Sequence, residues 1–153
     1  MFTIRQDDMS GQPTRDLLAQ HLAGMAENSP VGSVFALDLS GLLVPEVTVW
    51  SAWRHEKIAG IGALKMLRDG NGEVKSMRTH QDFLRMGVAA LILDTIIREA
   101  GSRGCRRISL ETGSGPAFAP ALQLYRRRGF DVGAPFGAYT KSDFNQFLHL
   151  DLG

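Results

Sequence analysis

The chain has 153 residues, 44% of them hydrophobic, which suits a single domain spanning residues 1–153 around one sizeable core. Seventeen basic against sixteen acidic side chains leave a formal charge of +1, so no global field favours nucleic acid, an anionic membrane or an acidic partner. The N-terminal residues lack the apolar core of a signal peptide, and the longest apolar run, residues 88–93, is too short to span a bilayer. A cytoplasmic location is the expectation. Cys105 is the only cysteine, which excludes an internal disulfide and cysteine-based metal clusters and suits a structural thiol.

In chain order, residues 2–7 alternate apolar and polar side chains as a strand does. Residues 13–26 then place Leu17, Leu18, His21, Leu22 and Met25 at helical spacing. After turn chemistry at residues 28–33, a weaker helical stretch over 34–43 ends before Pro45. The β-rich runs 47–54 and 57–67, joined by His55-Glu56, predict a hairpin. Asp69-Gly70-Asn71-Gly72 is a turn that leads into a third meander strand at 73–79. Residues 87–100 carry Val88, Leu91, Ile92, Thr95 and Ile96 in the pattern of a helix packed on a sheet, with Gly101 and Gly104 as terminators. A short strand at 107–112, an amphipathic helix at 116–128, the exit Gly129-Phe130 into Asp131-Val132 and a last strand at 145–152 complete the order. Antiparallel hairpins early and strand-helix-strand crossovers late imply an α/β (α+β) fold.

The chemistry-bearing stretch runs from Glu73 through Thr79 and a polar link to the helix that opens at Gly87. Backbone N–H groups at a helix start have no partner within the helix and lie at the positive end of its dipole, so this start is suited to a pyrophosphate. A glycine there permits close approach of phosphate to backbone, and it also serves as an ordinary cap.

Residues Leu84-Arg85-Met86-Gly87-Val88-Ala89 resemble the Arg/Gln-x-x-Gly-x-Gly/Ala pyrophosphate loop of the GNAT superfamily of N-acetyltransferases, here of bacterial type. Gly87 and Ala89 hold its two small-residue positions. Leu84 departs from the Arg/Gln position, which removes one side-chain contact and leaves Arg85 as the source of compensating charge. Leu110-Glu111-Thr112-Gly113-Ser114, followed by Ala121 and then Leu124-Tyr125-Arg126-Arg127-Arg128-Gly129-Phe130, is similar to the second signature of that superfamily. The resemblance implies a mixed central sheet of about six or seven strands flanked by about four helices and splayed between strands 4 and 5. Acetyl-coenzyme A is then the implied co-substrate, without a metal, and a primary amine of a small molecule or peptide the implied acceptor. The pantetheine arm would pair with backbone of Met77, Arg78 and Thr79 as an added strand does, and Thr112, Ser114 and Phe118 would line its path. A bulge near Met77 would turn an N–H toward the thioester carbonyl.

An alkyl amine is protonated near neutral pH, so transfer requires a proton acceptor. Glu73 stands where some histone-acetylating members of the superfamily carry their glutamate, and it reads equally well as a strand residue paired with Lys75. Tyr125 is implied as the acid for the departing thiolate, with a core aromatic as the alternative reading. Ser114 reads equally as a helix cap before Pro116. His21 lies on the apolar face of the first helix, as a core or acceptor-cleft histidine. Trp50, Trp53, Phe35 and Phe136 are explained either by the core or by an apolar acceptor pocket. No histidine pair has metal-ligand spacing. A non-catalytic acyl-coenzyme A sensor or interaction module and an enzyme using a longer acyl chain are the functional alternatives, and exposed strand edges leave a homodimer open.

Overall fold

The β-rich and alternating stretches of the sequence become seven strands in the computed structural model, which describes residues 1–153. These are β1 (Thr3–Asp7), β2 (Val47–Arg54), β3 (Lys57–Met66), β4 (Gly72–Thr79), β5 (Arg107–Thr112), β6 (Asp131–Val132) and β7 (Gln146–Asp151). Four helices accompany them: α1 (Gln12–Asn28), α2 (Leu39–Leu42), α3 (Val88–Ser102) and α4 (Ala119–Arg127). The strands form one mixed sheet in the order β1-β2-β3-β4-β5-β7-β6, antiparallel except for the parallel neighbours β4 and β5. This is the GNAT architecture that the two motifs imply.

Each face of the sheet has its own core. On α3, Val88, Ile92, Leu93, Ile96 and Ala100 recur at helical spacing and pack with Leu64, Val74, Ile108, Leu110, Leu148 and Tyr125 of α4. On the other face, Leu17 and Leu18 of α1 join Met9, Val49, Trp53, Ile61 and Ala63. Asp7 fastens that second layer at its rim, accepting hydrogen bonds from Ser51 at 2.6 Å and Thr14 at 3.0 Å.

The feature that positions the site is a wedge in the sheet. β4 and β5 pair only at Gly72↔Ile108 and Glu73↔Ser109, and then diverge. Just past the last pair β4 bulges: Ile61 faces Arg78 and Ala63 faces Lys75, so Ser76 and Met77 together oppose Gly62. Ser76 takes the left-handed conformation there (φ 58°), and the bulge bends the strand. Gly62 must be small because a Cβ would lie 2.5 Å from Ile92 and 2.6 Å from the Met77 sulfur.

The ends of α3 and α4 repeat one device. Gly104 N–H donates to Gly101 O and Cys105 N–H to Ala100 O, while Gly129 N–H donates to Arg126 O and Phe130 N–H to Tyr125 O. Both pairs form the Schellman arrangement, with a left-handed glycine just past the helix (Gly104 φ 84°, Gly129 φ 96°). In α4 the accompanying apolar contact is Tyr125 against Phe130, edge to face at 5.7 Å. The spacing Tyr-x-x-x-Gly-Phe therefore has a mechanical meaning: it ends the helix and clamps the tyrosine.

Three expectations need correction. The helix expected over 34–43 shrinks to α2, because the Asp38 carboxylate accepts from Gly41 N–H at 2.9 Å and starts the helix there, with Pro45 close behind. The helix expected over 116–128 divides: Ala119 N–H bonds Pro116 O in a 3₁₀ turn, and the α-helix proper starts at Ala119, with Pro120 in its first turn. Gly101 does not terminate the preceding helix but lies inside its last turn, before the Arg103 cap and Gly104.

Candidate active site

The sheet wedge opens beside a helix start with unused donors. Leu91 N–H is the first of α3 to reach back, to Gly87 O at 3.1 Å, which leaves the amides of Val88, Ala89 and Ala90 without intrahelical partners. Gly87 caps α3 at φ 84°, a conformation that disfavours any side chain, and Arg85 before it is also left-handed (φ 62°). Leu84, Arg85, Met86 and Gly87 are all exposed, so the loop offers backbone and one cationic side chain to solvent. The Val88 side chain points into the core and Ala89 is half-buried, so only their backbone can serve an anion. The diverging strands and these free amides together fit a diphosphate carrying an extended arm.

Along the wedge, the expected cofactor residues separate into two groups. Met77 within the bulge and Thr79 beyond it keep their places on β4, half-buried, and Thr112 ends β5, buried. Arg78 turns its side chain away from the wedge toward α1. Phe118 is buried edge-on against Phe144, and Ser114 is half-buried. Gly115, with no side-chain hydrogen bond, caps the following turn, so Ser114 is not the cap. Ser76 Oγ is buried and without a partner, a polar atom held at the mouth of the wedge.

On the α1 face the structure assembles a polar cluster that the sequence only half revealed. Glu73 is 3% exposed, and its Oε2 accepts a hydrogen bond from the Tyr139 hydroxyl at 2.5 Å. Lys75 Nζ lies 3.4 Å from the same oxygen and donates to Tyr139 Oη at 2.9 Å and to Phe35 O at 3.0 Å. Lys75 thus ties the loop before α2 and the loop after β6 to the centre of the sheet. Phe35 and Phe136 stack edge-on against Tyr139 at 5.3 and 5.1 Å. Burial and the adjoining Glu73 carboxylate push the Tyr139 hydroxyl far above the usual phenol range, so it stays a donor. Trp50 and Trp53 are core residues, whereas Phe35 and Phe136 belong to this cluster.

Glu111 completes the cluster from β5. Strand alternation puts it on the same face as Ser109, whose parallel partner is Glu73. Burial, reinforced by the like charge of Glu73 and opposed by Lys75, pushes its carboxyl up to about 7. Sequence reasoning missed Glu111 and Tyr139. Period-two alternation marked Glu111 as facing the same way as Ser109, but the cross-strand neighbour that makes it matter depends on a long-range register. Tyr139 sits in a loop without periodicity.

Tyr125 occupies the opposite face. It is 6% exposed, its hydroxyl has no hydrogen-bond partner in the chain, and burial pushes it up to about 12. His21 is buried on α1 and accepts a hydrogen bond at Nδ1 from Arg78 Nε at 3.2 Å. Burial first, then the charges of Arg78 and Lys75, push its imidazole down to about 4. His80 Nδ1 accepts from Asp82 N–H at 3.1 Å and so caps a turn. Cys105 is buried with its thiol 3.9 Å from the Met66 sulfur, and burial pushes it up. An open groove of about 1530 Å³ runs past Lys65, Arg107, Ser109, Phe136 and His149, but its walls include none of Glu73, Glu111, Tyr125 or Gly87. The polar cluster and the wedge, rather than this groove, hold the chemically matched groups.

Comparison with known proteins agrees with this geometry. Residues 15–130 match the Acetyltransferase (GNAT) family. An uncharacterized N-acetyltransferase of Escherichia coli strain K12, YedL, is 47% identical over 152 residues, covering 99% of this chain and 96% of its own. A Klebsiella pneumoniae structure described as a candidate acyl-CoA N-acyltransferase superposes with a TM-score of 0.83 at 24% identity, covering 100% of this chain and 99% of its own. A Bacillus subtilis acetyltransferase solved in complex with CoA gives a TM-score of 0.73 at 18% identity, with 99% of each chain covered.

Proposed function

The chain belongs to the GNAT acetyltransferase family, and on that premise we propose that it moves an acetyl group from acetyl-coenzyme A to a primary amine by direct attack in a ternary complex. The observation that carries the proposal is the wedge, with a glycine-capped helix start on one side and a carboxylate pair on the other. Acetyl-coenzyme A is a substrate here and supplies the activated acyl carbon. The amides of Val88, Ala89 and Ala90, with Arg85, hold its diphosphate. Backbone of Met77 and Thr79 pairs with its extended arm, and the bulge aims a backbone N–H at the thioester oxygen, where negative charge grows as the amine adds.

The acceptor approaches from the α1 face. It arrives as an ammonium ion and must lose a proton before its nitrogen can attack. Glu111, held near neutrality, is matched to that task, since a base works best with a pKa close to the working pH. Glu73 stays in the catalytic pair: its charge raises Glu111, while Tyr139 and Lys75 hold it in place. The new bond is C–N, the broken bond is C–S, and the electron pair leaves on sulfur. Tyr125, a neutral phenol on the other side of the sheet, donates the proton that converts thiolate to thiol; the second proton, shed by the nitrogen after the C–N bond forms, passes to solvent, which returns one to the phenolate. Cys105, buried against Met66, takes no part.

The test is a titration with acetyl-coenzyme A followed by free-thiol detection across a panel of primary amines. Binding in the micromolar range with amine-dependent thiol release and matching N-acetyl product is the expected result. Tight binding with no thiol release for any amine makes the chain an acyl-coenzyme A sensor and overturns the proposal.

A further inference from the structure

We infer that Arg78 is a carboxylate-recognition residue, and that the acceptor is therefore an amine that also carries a carboxylate, of the α-amino acid class. This rests on the acetyl-transfer reading and narrows it.

Simple alternation along β4 would put Glu73, Lys75 and Met77 on the α1 face and Arg78 on the other. The bulge inserts one residue and reverses the parity, so Met77 packs toward α3 and Arg78 toward α1. A device that opens the wedge thus also delivers a guanidinium to the face that carries Glu73, Lys75 and Glu111.

That guanidinium is half-buried and has no acidic partner. Its contacts are Nε to His21 Nδ1 at 3.2 Å and Nη2 to His21 O at 3.3 Å, and none of the ion pairs in the structure includes it. A guanidinium has five N–H donors and keeps its charge in proteins, so three donors remain uncommitted. Partly burying a charge without a counter-ion is costly, and His21, accepting at Nδ1 and through its carbonyl, is neutral and supplies no counter-charge. The head group packs close over the α1 backbone, where a Cβ on Gly24 would lie 2.6 Å from Arg78 Nη2. A fork of uncommitted N–H donors matches the two oxygens of a carboxylate. Carboxylate on Arg78 and amine toward Glu111 give a zwitterion complementary charge at both ends, with the coenzyme beyond the wedge.

The experiment measures thiol release at saturating acetyl-coenzyme A for the common L-amino acids and for the amine each leaves on decarboxylation, such as phenylalanine against phenethylamine and leucine against isoamylamine. The best L-amino acid should exceed its decarboxylated partner by about 30-fold or more in kcat/KM, the size of a charged hydrogen-bonded contact. Arg78→Gln should erase most of that ratio through KM, Arg78→Lys should retain part of it, and calorimetry should show the N-acetyl amino acid binding more weakly to both variants. Decarboxylated amines used as well as their parents overturn the inference and leave acetyl transfer standing. So does an equal loss on both members of each pair, which marks Arg78 as structural, or a weakened acetyl-coenzyme A affinity, which assigns it to the coenzyme. Thiol release with no amine at all defeats this inference together with the transfer reading.

Discussion

Glu111→Gln removes one proton site from the cluster and leaves its shape nearly unchanged. Burial, with the neighbouring Glu73 charge and against the opposing charge of Lys75, lifts this carboxyl from 4.5 to about 7. A rise of that size corresponds to about 3 kcal/mol at 1.36 kcal/mol per pH unit, and solvent reaching a half-buried group reduces it to about 1–2 kcal/mol. The folded state holds this proton more tightly than the unfolded chain, so stability falls as pH rises from 4.5 to about 7, and the full penalty persists above that window. Glutamine cannot ionise. The variant should therefore equal the wild type near pH 4 and exceed it at pH 8 by about 1–2 kcal/mol, seen as about 2–6 °C in Tm. Activity should move in the opposite direction. The wild-type kcat/KM at saturating acetyl-coenzyme A should rise through an inflection near 7, below the separate rise from the free amine, and the variant should lose that inflection along with about 10²–10⁴-fold in kcat. Scanning calorimetry at the two pH values and a pH–rate profile together decide the matter. An inflection near 7 that survives in Glu111→Gln refutes the assignment, as does a kcat loss below about tenfold.

Tyr139→Phe removes the hydrogen bond to the buried Glu73 oxygen and should cost about 1–3 kcal/mol in urea unfolding. Because Lys75 loses a partner as well, the inflection assigned to Glu111 should shift in the same variant. Tyr125→Phe should lower kcat more than it weakens acetyl-coenzyme A binding, with little change in stability because the hydroxyl has no partner to lose; equal kcat removes its role as acid. Cys105→Ala should retain near-full turnover while losing about 1–2 kcal/mol of stability from a buried site, and complete inactivation contradicts direct attack. Gly87→Ala forces a Cβ into a left-handed position at about 1–2 kcal/mol, and it should raise the acetyl-coenzyme A KM while leaving the acceptor KM close to wild type.

Most of the framework could be read from local pattern because each long element obeys one period. Val88, Ile92 and Ile96 announce α3, and the β-rich runs 47–54 and 57–67 announce the β2–β3 hairpin, which closes through His55 at φ 53°. Reading failed where a side chain far away or a single cap decides the outcome. Residues 34–38 have helical composition, yet the Phe35 carbonyl is held by Lys75, forty positions on, and Asp38 starts its own short helix instead. Proline at position 120 similarly turned one expected helix into a 3₁₀ turn and a shorter α-helix.

The site divides along the same line. The proposed anion-binding half uses consecutive residues, Leu84 to Ala89, and rests on backbone geometry at a glycine, so a local motif is enough to point to it. The proposed acceptor half draws on Glu73, Lys75 and Arg78 on β4, Glu111 on β5, His21 on α1 and Tyr139 in a loop, with no two of these from different elements fixed by spacing. Only the register of the parallel pair brings Glu111 beside Glu73, and only the bulge turns Arg78 to their face. One inserted residue at Ser76–Met77 consequently sets two properties together, the opening of the coenzyme wedge and the charge pattern presented to the acceptor. Deleting Ser76 would restore the ladder opposite Gly62, closing the wedge and sending Arg78 toward α3, so coenzyme binding and acceptor preference should be lost together rather than separately.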